Sequence, residues 1–281
     1  MTAVPEPVAA LPPVVDAGWL VEHRDSVLVC DVRWYLDGRS GRAAYDRGHL
    51  PGAVFVDLDR VLAGPPSPTA GRHPLPAPDE FASALGRLGL GQDQPVVAYD
   101  DAGGMVAARL VWMLRVLDQP AAVLDGGLAA WAGPLSFDLV ELPATSRSVL
   151  PWPASALAEA DEVARHLQAG GVVIDARSPD RYRGDSEPID PRAGHIPGAV
   201  NLPFAQNLDQ ARFRTADELR ARYSEFRADA AAIVYCGSGV SACHDVLAME
   251  QAGLGRPRLF VGSWSAWSAD PERPAATGSA P

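Results

Sequence analysis

Short apolar runs of four to six residues, each closed off by Gly, Pro or Asp, alternate along this chain with stretches of helical periodicity. In the second half the runs fall at 171–176, 199–203, 231–235 and 258–261, and the helical stretches at 160–169, 215–227 and 241–252. Runs that are continuously apolar suit strands buried on both faces. Their alternation with helices predicts an α/β fold in which parallel sheets are flanked by helices.

The pattern is written twice. LVCDVR at 28–33 returns as VVIDAR at 172–177, and GHLPGAV at 48–54 as GHIPGAV at 194–200. VAYD at 97–100 returns as IVYC at 233–236, and DGGLAAW at 125–131 as VGSWSAW at 261–267. Order and spacing are kept, so the chain reads as a duplicated domain. The expected division is 14–134, a Pro-, Ser- and Ala-rich linker at 135–158, and 159–270. The offset between copies drops from 146 to 136 after the second strand, so the first copy carries ten extra residues. They fall near LAGPPSPTAGRHPLP (62–76), a loop composition common in lids.

At 281 residues, 47% hydrophobic, the chain is long enough for two cores. A net charge of −11 argues against nucleic acid or an anionic membrane as partner. All 24 basic residues are arginine, which excludes Schiff-base chemistry and a Walker A lysine. Three cysteines, Cys30, Cys236 and Cys243, form no CxxC pair, which suits a reducing cytoplasm rather than a disulfide framework or a zinc site. The first residues, MTAVPEPVAALPPVV, lack the basic start of a signal peptide, and both ends are expected to be loose. Apolar stretches such as Met105 to Leu117 are interrupted by Arg109 and Arg115, so no membrane span is expected.

Duplication separates scaffold from chemistry. His49 and His195, Asp31 and Asp175, and Trp131 and Trp267 occur in both copies and are assigned to the fold. Two positions differ in kind: Asp100 in the first copy is Cys236 in the second, and Asp37 is Arg181. A thiol and a cation have replaced two acids, the exchange a site for an anionic, thiol-reactive substrate requires. Cys236 stands where a parallel strand ends and a helix begins, at the edge where open α/β sheets bind ligands. Gly237 and Gly239 let the loop through Val240, Ser241 and Ala242 curl so that backbone N–H groups converge on the sulfur. Such surroundings favour the thiolate, which is the nucleophile, and equally a persulfide. Cys30, mid-strand, and Cys243, in the helix, read as inert buried cysteines.

With those residues quoted, the chain resembles the two-domain rhodanese-type sulfurtransferases over roughly 14–270. GHLPGAV and GHIPGAV, YDDAG against YCGSGVSA, LDGGLAAW and GSWSAW carry the resemblance. It implies two tandem rhodanese-like domains, the first catalytically inactive and the second bearing the reactive cysteine. The neutral loop after Cys236 is similar to that of 3-mercaptopyruvate sulfurtransferases, and Arg181 matches the first arginine of that group's substrate clamp. The resemblance further implies a proton relay of Ser238, His73 and Asp59, with His73 reaching the other domain's cysteine from the long loop. Two positions depart from the pattern: Ile189 stands where a second clamp arginine follows Glu187-Pro188, with Arg192 three residues on, and Ala266 replaces the acid of the last motif.

The expected reaction is double displacement through a Cys236 persulfide, with 3-mercaptopyruvate as small-molecule sulfur donor and a thiol such as thioredoxin, or cyanide, as acceptor. Thiosulfate is the alternative donor. No cofactor or metal is expected, and a monomer is the default. A cysteine phosphatase would need an arginine six residues after Cys236, where Ala242 stands. A Cys236–Cys243 redox pair, two helical turns apart at about 10 Å, lies beyond disulfide reach. A non-catalytic binding module is the alternative of a different kind, and Cys236 together with Arg181 argues against it.

Overall fold

The computed structural model describes residues 11–281; the first ten positions of the proline-broken N-terminal stretch lie outside the described residues. The chain forms two units, one running through Val61 and resuming over Pro78–Pro151, the other made of Leu62–Ala77 and Trp152–Pro281. The ten-residue difference between the copies therefore has a structural meaning: the segment that carries it is built into the second unit.

In the first unit, β1 (Val14–Val15), β2 (Leu28–Asp31), β3 (Val54–Phe55), β4 (Val96–Tyr99) and β5 (Ala121–Leu124) form one parallel sheet in the order β1-β5-β4-β2-β3. It carries α1 (Ala17–Glu22), α2 (Gly41–Asp46), α3 (Pro78–Arg87) and α4 (Ala107–Arg115). In the second unit, β6 (Val173–Asp175), β7 (Val200–Asn201), β10 (Ile233–Tyr235) and β11 (Arg258–Leu259) form a parallel sheet ordered β11-β10-β6-β7, beside a two-stranded antiparallel ribbon of β8 (Leu208–Asp209) and β9 (Arg212–Phe213). Its helices are α5 (Ala160–Gln168), α6 (Pro179–Arg183), α7 (Ala216–Ser224), α8 (Ala242–Gln251) and α9 (Ser263–Ala269). Leu157 bridges Leu259 in parallel, the counterpart of β1 on β5, so the two sheets repeat down to their edges.

The continuous apolar runs are explained by burial on both faces: every residue of β4, β5 and β10 is buried. The paired segments are shorter than the apolar runs because the chain leaves the sheet as soon as it turns toward the next helix. Capping fixes the helix starts. The Thr215 side chain accepts from Glu218 N–H while Glu218 reaches back to Thr215, and Glu159 with Glu162 does the same for α5. Among the described residues no helix is long and apolar enough to cross a membrane.

The aspartates and histidines assigned to scaffold form one device built twice. Arg33 clamps Asp31 and donates to Gly48 O at 2.8 Å; Arg177 clamps Asp175 and donates to Gly194 O at 2.7 Å. His49 stacks on Tyr45 at 3.8 Å and His195 on Tyr182 at 3.7 Å, each with Nδ1 at the tyrosine's own carbonyl. These groups tie the GH-x-PG turn to the central strands, a structural use of a residue that elsewhere serves chemistry.

Candidate active site

Cys236 follows directly on β10, and its position is set by hydrogen bonds on every side. Its N–H donates to Ser263 Oγ at 3.1 Å, its carbonyl accepts from Trp264 N–H at 2.9 Å, and Gly237 O accepts from Ser265 N–H at 2.9 Å. The GSWSAW stretch is thus the bed of the cysteine loop. Ser263 holds a left-handed backbone, φ 53°, and its hydroxyl also donates to Phe260 O at 2.9 Å. A non-glycine residue in that region is held there by its surroundings.

The sulfur accepts the Gly239 N–H at 3.1 Å. Gly239, at φ 77°, makes the turn that brings this amide back over the sulfur. Its carbonyl accepts from the Cys243 thiol at 3.3 Å, so Cys243 braces the loop from inside α8. The first copy shows what this loop geometry accommodates. There the Asp100 carboxylate fills the equivalent turn and accepts four backbone N–H groups, from Ala102, Gly104, Val106 and Ala107, at 2.8–2.9 Å. Burial pushes the Asp100 carboxyl up, and those four amides oppose the shift. In the copy with cysteine the same junction presents its N–H to a sulfur instead.

Ser238, nearly buried, meets His73: Ser238 Oγ and His73 Nδ1 lie 2.8 Å apart. His73 arrives on the 62–77 segment, which is a fastened hairpin rather than a free lid. Ser67 and Gly71 exchange backbone hydrogen bonds at 3.1 and 2.8 Å, and Trp152 Nε1 donates to Pro76 O at 2.9 Å. Asp59 lies in the first unit, exposed on the turn Leu58–Leu62, where its Oδ2 accepts from Trp34 Nε1 at 3.0 Å.

Arg181, in the last turn of α6, is anchored through Nε and Nη2: Glu187 takes them at 2.7–3.2 Å and Asp190 Oδ2 takes Nη2 at 3.0 Å. Its Nη1 would lie 3.2 Å from a Cβ on Gly237. Beside it is a residue the sequence reading did not single out. Arg72 Nη2 would lie 3.1 Å from the same Cβ, and Arg72 Nη1 pairs with Asp190 Oδ1. Arg192, the nearest arginine downstream of Glu187-Pro188, is occupied elsewhere: its guanidinium donates to the carbonyls of Trp267, Ser268, Asp270 and Arg273, around the end of α9. The signal for Arg72 was its place next to His73; its destination depends on tertiary packing.

The acids behind the arginines are themselves buried. Glu187 accepts from Ile189 and Asp190 N–H and from Arg177 Nη1. Burial pushes the Asp190 carboxyl up, while Arg72 pulls it down, Glu187 pushes it up and Arg181 pulls it down. The connected group holds three guanidiniums, Arg72, Arg177 and Arg181, against three carboxylates, Asp175, Glu187 and Asp190. Val240, Ser241 and Ala242 complete the turn into α8, Val240 O and Ser241 O accepting from the N–H groups of Cys243 and His244. All three cysteines are buried and free, and burial pushes the Cys30 thiol up.

A family model described as "Rhodanese-like domain" matches residues 16–134 and again 159–270. A Pseudomonas aeruginosa protein named "Probable 3-mercaptopyruvate sulfurtransferase" is 45% identical, over 90% of this chain and 93% of its own. A Mycobacterium tuberculosis protein named "Putative thiosulfate sulfurtransferase SseB" is 42% identical, over 93% and 94%. Among solved structures, the Escherichia coli 3-mercaptopyruvate sulfurtransferase SseA superposes with a TM-score of 0.80 at 32% identity, covering 90% of this chain and 99% of that one.

Proposed function

Because the chain belongs to the rhodanese family and is a sulfurtransferase, we propose that it takes sulfur from 3-mercaptopyruvate onto Cys236 as a persulfide and passes it to a thiol acceptor. The observation that carries this reading is the Gly239 N–H on Cys236 Sγ, at the mouth of a strand–loop–helix junction whose other copy holds a carboxylate.

The Cys236 thiolate attacks the donor's sulfur. The S–S bond forms as the C–S bond breaks, and the electron pair leaves on carbon as the pyruvate enolate. The donor's thiol proton ends on that carbon, so cysteine persulfide anion and pyruvate are the products, with no oxidant required. The Ser238–His73 pair, hydrogen-bonded at 2.8 Å, is suited to move that proton. Gly239 N–H, with the loop amides through Ala242, offsets charge on the sulfur as it becomes a persulfide. Arg181 Nη1 faces the donor's carboxylate while its other nitrogens stay on Glu187 and Asp190. A second thiol then attacks the outer sulfur and releases Cys236.

Charge supports mercaptopyruvate over thiosulfate. The arginines are already matched one for one by carboxylates, so a dianion approaching a thiolate is repelled more than a monoanion. The 42% identical relative named for thiosulfate keeps that donor as the second reading. Mass spectrometry after mercaptopyruvate treatment tests the proposal: wild type gains one sulfur and Cys236→Ser gains none. Equal gain by both would end it, and a higher kcat/KM for thiosulfate would exchange the donors.

A further inference from the structure

We propose that Asp245, a carboxyl buried in the first turn of α8, tunes the nucleophile: by ionising it opposes the Cys236 thiolate, and so sets the pH at which Cys236 reacts. It acts through the field at the entrance of α8 and touches no substrate, so its role is positioning rather than catalytic. The inference rests on the reading of Cys236 as the nucleophile.

Duplication carries the first argument. From VAYD and IVYC to DGGLAAW and VGSWSAW the two copies keep one offset, 136, which sets Asp245 opposite Arg109. Both side chains are fully buried, and both lie in the first turn of the helix after the loop, α4 in one copy and α8 in the other. In the first copy the loop holds a carboxyl, Asp100, and the helix behind it carries a guanidinium. In the second the loop holds a thiol, and the helix behind it carries an acid. A guanidinium keeps its charge at every working pH, whereas an acid can lose its own. The copy with the reactive group is the copy with the titratable neighbour.

The surroundings of Asp245 carry the second. Asn207 Nδ2 donates to its Oδ1 at 2.6 Å, and Asn207 Oδ1 accepts from the Tyr223 hydroxyl at 2.9 Å and Arg222 Nε at 3.2 Å. Arg222, the cation that α7 brings here, turns its other nitrogens to Gln206 Oε1 and Pro203 O. Asp245 therefore meets an amide where an ion pair would hold its charge. His244, its neighbour on α8, is stacked on Phe213 and edge-on to Phe204. From β6, Asp175 adds a like charge, and from β10 the Tyr235 hydroxyl is spent on Ile196 N–H. Burial, the largest cause, pushes the Asp245 carboxyl up to about 7.

Asp175 shows that this field reaches the end of β10. Its strand partner is Tyr235, the residue before Cys236, and its charge helps to push Asp245 up. Charges that act on Asp245 from there are acted on in return. Asp245 lies three residues after Ala242, about 4.5 Å of helix rise. A negative charge at that depth offsets the positive entrance that favours a thiolate. With Asp245 neutral the entrance keeps its full effect; with Asp245 ionised, forming the thiolate takes a higher pH.

The test is alkylation of Cys236 by iodoacetamide in the full chain, followed by peptide mapping from pH 5.5 to 9.5. Asp245→Asn, permanently neutral, is expected to lower the midpoint of the rate profile by about half a unit to one unit. The rates of variant and wild type should converge at pH 5.5, where Asp245 is protonated. Asp245→Glu, still an acid, should keep the wild-type midpoint. Near-ultraviolet circular dichroism and the thermal midpoint report whether each variant is folded. An unchanged midpoint in Asp245→Asn overturns the inference, as does a Cys236 that stays unlabelled throughout. A glutamate variant that shifts like asparagine overturns it too, because packing would then replace charge. A shifted profile in a protein that takes up no sulfur from mercaptopyruvate ends the functional reading and leaves this one standing; sulfur uptake with an unshifted profile does the reverse.

Discussion

His73 Nδ1 and Ser238 Oγ are 2.8 Å apart although 165 residues separate them in the chain. The pair exists because the 62–77 hairpin is part of the second unit, which brings two segments far apart in sequence together. A pair that moves one proton acts as a unit. His73→Asn and Ser238→Ala should each lower kcat on the order of 100-fold. The double variant should be little worse than either single one. Single-turnover persulfide formation, followed by pyruvate release, checks this; losses that multiply would show two independent roles.

Gly71 is where the hairpin touches its bed. Alanine there meets the Gly262 carbonyl at 2.5 Å and must also hold φ 84°, which L side chains disfavour. Gly71→Ala should destabilise the fold by about 1–3 kcal/mol, and by displacing Arg72 and His73 together should reduce kcat/KM more than it reduces stability. Denaturant unfolding and steady-state kinetics on one preparation decide it. Wild-type kcat/KM in a destabilised Gly71→Ala would mean the segment is not held by this contact.

Much of the architecture was legible because it is written twice. The GH-x-PG turns, Asp31 with Asp175, and the Asp100–Cys236 exchange were read by comparing the chain with itself, and the scaffold groups sit in matching geometries. Arg72 was not legible for the complementary reason: it lies in the segment with no counterpart, so no internal comparison could value it. Its meaning comes from Gly71 fitting under Gly262, a tertiary fact. Arg192 shows the converse, since spacing alone put it near the site and four backbone carbonyls around the end of α9 claim it. Asp245 gave no local sign either; its partners come from the turn before β8 and from α7.

Asp100 offers a test of the loop as an anion cradle. Its buried carboxylate satisfies four backbone N–H groups of the turn that follows it. Asp100→Ala leaves these donors without a partner and should destabilise the protein by about 3 kcal/mol. Asp100→Asn retains one acceptor oxygen and should lose less. Thermal and denaturant unfolding give the ranking wild type, asparagine, alanine; an alanine variant as stable as wild type would mean solvent reaches the turn.

Asp245, one turn into α8, is fully buried, and its carboxyl is pushed up to about 7, mainly by burial, against the pull of Arg222, Asn207 and Tyr223. Asn207 Nδ2 donates to Oδ1 at 2.6 Å, while among the described residues Oδ2 accepts no hydrogen bond, so the buried charge is only partly compensated. The His244 ring, stacked on Phe213 at 4.3 Å, adjoins the same asparagine. A folded value above the unfolded one makes the neutral acid the form the fold prefers. The stabilisation is complete below about pH 4 and is lost as pH rises through about 7, amounting to a few kcal/mol in all. Relative to wild type, Asp245→Asn, permanently neutral, should gain about 2–3 kcal/mol in stability on going from pH 5 to pH 8. Denaturant unfolding of both proteins at the two pH values measures it. A difference that does not change with pH would show that Asp245 is ionised throughout and that its neighbours hold the charge.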